Sequence, residues 1–145
     1  MRKRSSYRPR HVLRDPLGYV LAGVAPITSY VEADTVLRLR SRSAIDSVSR
    51  GVANMADIDA LIAAANMATA FVRLGKGGDW TTEIRAGVDA VEALRNRGRW
   101  ICTGPELPAI RLMLDIHDAQ LDAVSVIELE AAVKLAKRRI AAVGV

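Results

Sequence analysis

The chain has 145 residues and a mass of 15.7 kDa; half of its residues are hydrophobic and Cys102 is its single cysteine. That length suits one domain around one core and is too short for two, and a lone cysteine excludes an intrachain disulfide scaffold and fits a reducing compartment. Aromatic residues make up only 4% and Ala, Val, Leu and Ile supply most of the apolar half, which favours helices and argues against both wholesale disorder and a β-sandwich.

The net charge of +5 is unevenly placed. Residues 1–14 carry Arg2, Lys3, Arg4, Arg8, Arg10 and Arg14 with no acid, and residues 134–145 carry Lys134, Lys137, Arg138 and Arg139, again with no acid. Between them lie 11 basic and 16 acidic residues. The basicity is therefore terminal. The stretch after the first cations is polar and broken by Pro9, unlike the apolar centre of a signal peptide. The longest uncharged run, 13 residues from Ala60 to Val72, falls short of the roughly 20 that span a bilayer. These features predict a cytoplasmic protein with no membrane partner.

In chain order, residues 1–14 read as a basic arm, extended around Arg8-Pro9-Arg10 because proline disfavours helix in the residue before it. A domain over residues 15–145 follows. Asp15-Pro16 is a helix-start signal, and Leu17, Val20, Leu21 and Val24 recur at helical spacing until Ala25-Pro26. Val36-Leu37-Arg38-Leu39-Arg40 alternates apolar and basic, which predicts a half-buried strand. Ser41 or Ser43 then caps a brief helix carrying Ala44, Ile45 and Val48, closed by Gly51. Asn54 and Asp57 form a capping box. The following apolar residues, from Ile58 to Val72, cover so much of the circumference that this helix should be the buried centre, ending at Gly75.

After a turn built on Gly75, Gly77 and Gly78, Asp79 or Thr81 opens a helix with Trp80, Ile84, Val88, Val91 and Leu94 inside and Gly98 at its end. Residues 99–103 are short and partly alternating, so they could pair with residues 36–40 as a ribbon lying on the helices. Thr103-Gly104-Pro105-Glu106 reads as a second capping box, followed by Leu107, Ile110, Leu114, His117 and Leu121 on one face. Ser125 and Glu128 form a third, opening a last helix with acids at its start and bases toward its end, as the helix dipole favours. The expected fold is mainly α: one domain of five or six helices, with room for one short two-stranded β ribbon, behind a basic N-terminal arm.

Candidate chemistry is sparse. Asp115, Asp118 and Asp122 share a helix side at i, i+3 and i+7, whereas His117 lines up with Leu114 and Leu121. A buried, hydrogen-bonded histidine beside a solvated acidic face is the expectation. The other histidine, His11, lies in the arm, and no metal-ligand spacing is present. Gly75-Lys76-Gly77-Gly78-Asp79 follows a helix rather than a strand and lacks the spacing of a phosphate loop, which makes it a helix end and turn. Asn66, in the apolar central helix, is expected to meet a backbone group or His117. Cys102 beside Trp100 and Ile101 reads as a packed thiol. No catalytic residue, metal or cofactor is assigned, and the expectation is a protein that is not an enzyme.

The arm is the feature with a functional reading. Arg2, Lys3, Arg4, Tyr7, Arg8, Arg10 and Arg14 combine closely spaced cations with one aromatic, a set able to hold phosphates and stack on an exposed base. Nucleic acid, DNA or RNA, is the first partner this implies; an acidic surface on another protein is the second. Arg38, Arg40 and Arg42 on the predicted ribbon would extend the patch, and self-association stays open.

The segments Gly104-Pro105-Glu106-Leu107 and Ile116-His117-Asp118-Ala119-Gln120-Leu121-Asp122 carry a resemblance, together with Leu61-Ile62-Ala63-Ala64, Asn66-Met67, Asp79-Trp80, Glu83-Ile84-Arg85-Ala86-Gly87 and the opening Met1-Arg2-Lys3-Arg4-Ser5. Over nearly its whole length the chain is similar to a family of small proteins encoded by temperate tailed phages of proteobacteria. That resemblance implies a setting, not a mechanism. It raises two roles: a regulator acting on nucleic acid or transcription, and a binder that redirects or disables a host protein such as a defence component.

Overall fold

Capping chemistry sets several boundaries of the five helices that lie whole within the described residues, 23–143, of the computed structural model, whose side chains are described through Arg138. They are α1 Val31–Ser49, α2 Met55–Arg73, α3 Thr81–Asn96, α4 Glu106–Ala123 and α5 Val126–Val143, with single 3-10 turns at Ile27–Ser29 and Gly78–Trp80. At the start of α2 both arms of the capping box are made: the Asp57 amide donates to Asn54 Oδ1 at 3.0 Å and the Asn54 amide to Asp57 Oδ2 at 2.9 Å. Ser125 and Glu128 do the same for α5. For α4 only the reciprocal arm forms, from the Thr103 amide to Glu106, because the helix starts after Pro105 and no side chain caps it.

Helix α2 ends in a Schellman motif. Gly75 adopts φ +84°, the Lys76 amide donates to the Phe71 carbonyl at 2.9 Å and the Gly75 amide to that of Val72 at 3.0 Å; a left-handed residue is what this closure requires. Helix α3 departs from expectation at its start. Neither Asp79 nor Thr81 caps it, and Trp80 ends the 3-10 turn 51% exposed rather than inside.

Residues 36–40 are not a strand. They lie inside α1, where Ser41, Ala44, Ile45 and Val48 are buried at i, i+3, i+4 and i+7 while Val36 and Leu39 stand 63% and 61% exposed. Residues 99–103 are irregular. The two-stranded ribbon is therefore absent among the described residues, whose only β-type contact is one bridge between Pro26 and Ser125. A helix satisfies its backbone groups internally, whereas an isolated strand at 36–40 would have left them without partners.

Helix α2 is the hub and touches each of the other four. Its N-terminal two-thirds pack into one apolar cluster with α1, α3 and α4. Ala70 and Phe71 belong to a second, with Ile27, Leu121 and Val124 and with Ala132 and Ala136 of α5. At 19 residues and mean hydropathy 1.4, α2 is long and apolar enough to cross a bilayer, which its uncharged run alone did not suggest. In this fold Ile58, Leu61, Ala68 and Phe71 are wholly enclosed by protein.

The most extensive helix pair is α3 with α4. They meet at Gly87, where an added Cβ would stand 2.4 Å from Met113 Cβ.

Candidate functional site

Four places could carry chemistry. The first is the acidic side of α4. Arg38 and Arg42, one turn apart on α1, face Asp115, Asp118 and Asp122 across the α1–α4 contact. Arg38 bonds Asp122 at 2.6 Å and Asp34 of its own helix at 2.9 Å, and donates to the Asp118 carbonyl at 3.2 Å. Arg42 bridges Asp115 at 2.5 Å and Asp118 at 2.8 Å. For both guanidiniums burial opposes the charge, but the hydrogen bonds to these aspartates outweigh it and raise the pKa. The predicted acidic face is thus a paired ionic seam. Arg38 and Arg42 do not extend a free cationic patch, and exposed Arg40 points elsewhere on α1.

Below this seam lies His117, 6% exposed. Its ring stacks on Phe71 with centroids 5.8 Å apart, and Nδ1 lies 3.4 Å from Gln120 Oε1. Gln120, 3% exposed, donates its amide hydrogens to the carbonyls of Ala68 and Lys76 at 3.1 and 3.0 Å. Gln120 is therefore the histidine's partner, not Asn66, and it ties the glycine turn to α4. Burial, above all, lowers the His117 pKa, which leaves a neutral imidazole between a ring and an amide. Among the described residues no group of three or more His, Cys, Asp or Glu is placed to hold a metal ion: the imidazole is enclosed and the α4 carboxylates are engaged by arginine.

Beside the turn is a groove of about 410 Å³, lined mainly by Gly75, Gly77, Trp80, Leu112, Ile116 and Ala119. Trp80 and Leu112, 51% and 43% exposed, form its open edge. At the far end of α3, Arg97 forms a two-pronged pair with Glu106 and holds that carboxyl down at about 2. Cys102 nearby is half-buried and its thiol pKa is raised, chiefly by burial, which favours the thiol over the reactive thiolate.

The fourth place is the outward side of α5. Lys134, Lys137 and Arg138 are exposed there at i, i+3 and i+4. The arm residues Arg2, Lys3, Arg4, Tyr7, Arg8, Arg10 and Arg14 lie outside the described residues.

Reasoning along the chain missed the ionic seam and the role of Gln120. The signal for the seam was present: on a helix, Asp34, Arg38 and Arg42 at i, i+4 and i+8 make a stripe, as do Asp115, Asp118 and Asp122 at i, i+3 and i+7. Reading 36–40 as a strand hid it. No protein-family model, curated protein or solved structure matches the chain.

Proposed function

We propose that this chain is a non-enzymatic, phage-type accessory or regulatory protein of the cytoplasm, which holds nucleic acid through its basic N-terminal arm while the helical domain serves as the platform. One contrast carries the reading. Arg38, Arg42 and Arg97 of the domain are committed to carboxylates of the same molecule, whereas the arm brings six cations and Tyr7 in 14 residues with no acid among them. Phosphate attraction with counterion release draws on closely spaced cations.

The test is retention of the full chain on DNA and on RNA as salt rises, beside a chain lacking residues 2–10. Expected is binding at about 50 mM salt that weakens steeply toward 200 mM and is lost with the deletion. No retention of the full chain at the lower salt overturns the reading.

A second reading is a protein-binding inhibitor or adaptor acting on a host defence or transcription component. The groove edged by exposed Trp80 and Leu112 favours it, since aromatic anchors are enriched where proteins meet. Capture from nuclease-treated host lysate separates the two: a stoichiometric protein that survives nuclease supports the second reading, and recovery only with nucleic acid supports the first.

A further inference from the structure

The bases of α5 invite a simple explanation, that they complement the negative end of the helix dipole. Their positions do not support it. Helix α5 runs to Val143 and its last turn contains no base, and the dipole's influence fades beyond that turn. Lys134, Lys137 and Arg138 stand higher, where the dipole gives them little.

Nor do they have ion-pair partners among the described residues. All three are exposed, and among the described residues none forms an ion pair, although Glu130 sits one turn before Lys134. Like charges at i, i+3 and i+4 repel by a few tenths of a kcal/mol per pair. This face therefore carries a small repulsive cost, offset only in part by Glu130 at i, i+4 before Lys134. Ala132 and Ala136 face the core, and the cations share the side of α5 that packing leaves to solvent.

We infer that the Lys134–Lys137–Arg138 face of α5 is a second phosphate-contacting surface, which docks on the backbone of a nucleic acid independently of base sequence. The inference rests on the reading that the protein binds nucleic acid. Charge density supports a phosphate lattice as the partner. Three cations fall within about 6 Å of helix axis, spaced about 3 Å apart on average, close to the spacing of about 3.4 Å per phosphate along one strand of a duplex.

The experiment measures affinity of the full chain for a duplex of arbitrary sequence by fluorescence anisotropy across a salt series. It compares wild type, K134Q/K137Q/R138Q, the charge-keeping K134R/K137R, and the chain lacking residues 2–10. Three lost phosphate contacts should make the slope of log K against log salt shallower by about 2.7 in the triple variant, while K134R/K137R keeps the wild-type slope and circular dichroism stays helical in both. An unchanged slope in the triple variant, with binding still lost on arm deletion, overturns this surface and leaves the arm reading intact. Binding that survives arm deletion but falls with the triple variant supports the surface and overturns the arm. Absence of wild-type binding overturns both. Tighter binding to a poly-glutamate peptide than to the duplex at equal salt assigns the face to an acidic protein and overturns the phosphate assignment.

Discussion

Gln120 uses both amide hydrogens on backbone carbonyls and turns its oxygen to His117, so one buried side chain joins the hub helix, the glycine turn and the histidine. The consequence for His117 is readable in pH. Burial leads in pushing its pKa below 6.5, Arg38 and Arg42 act in the same sense, and Gln120 and Asp118 oppose. The folded state thus holds fewer protons at this site than the unfolded chain. Its contribution to stability is fully present above about pH 6.5 and is lost as pH falls below that value toward the depressed folded pKa. Urea midpoints should accordingly drop between pH 7.5 and pH 5, and H117Q, which does not titrate, should flatten this part of the profile. An unchanged slope in H117Q would place the acid sensitivity elsewhere.

Among elements, the α3–α4 pair is the tightest fit. Gly87 has no side chain to hold the helices apart, and Met113 fills the space a Cβ would need. Although alanine is the better helix former by about 1 kcal/mol, overpacking a close contact costs about 1–3 kcal/mol. The clash is with Met113 Cβ, an atom that moves only with its backbone, so the steric cost wins. G87A should destabilise the protein by about 1–2 kcal/mol in urea titrations. Adding M113A should not recover that loss, because alanine retains the Cβ and the buried methionine side chain is lost as well. The α1–α4 seam is different in kind: its pairs are partly exposed, and such pairs contribute about 0–1 kcal/mol each. They orient α1 more than they stabilise it.

For the whole molecule, α2 decides cooperativity. Both apolar clusters are built on this helix, the upper one through Ile58 and Leu61 and the lower through Phe71, and α4 also enters both, through Ile110 and Leu121. Removing Phe71 leaves a cavity that also borders His117. F71A should cost about 3–5 kcal/mol and should still give one unfolding transition, because neither cluster keeps its packing without α2. Coincident loss of helical signal and of tryptophan fluorescence would confirm it; two separated transitions would show that the clusters melt independently.

Much of this architecture follows from local chemistry. Asn54 with Asp57, Ser125 with Glu128, and the glycines at 51, 75 and 98 mark helix ends through bonds between residues a few positions apart, which is why the hub, its length and the mainly α class can be read along the chain. The terminal placement of charge is legible in the same way. Tertiary structure alone decided that 36–40 is helical, that Trp80 faces outward, and that Arg38 and Arg42 answer the aspartates of α4. Each depends on what packs opposite, and neither stripe by itself names a partner some 75 residues away: an alternating run is compatible with two backbones until the fold supplies, or withholds, a neighbour.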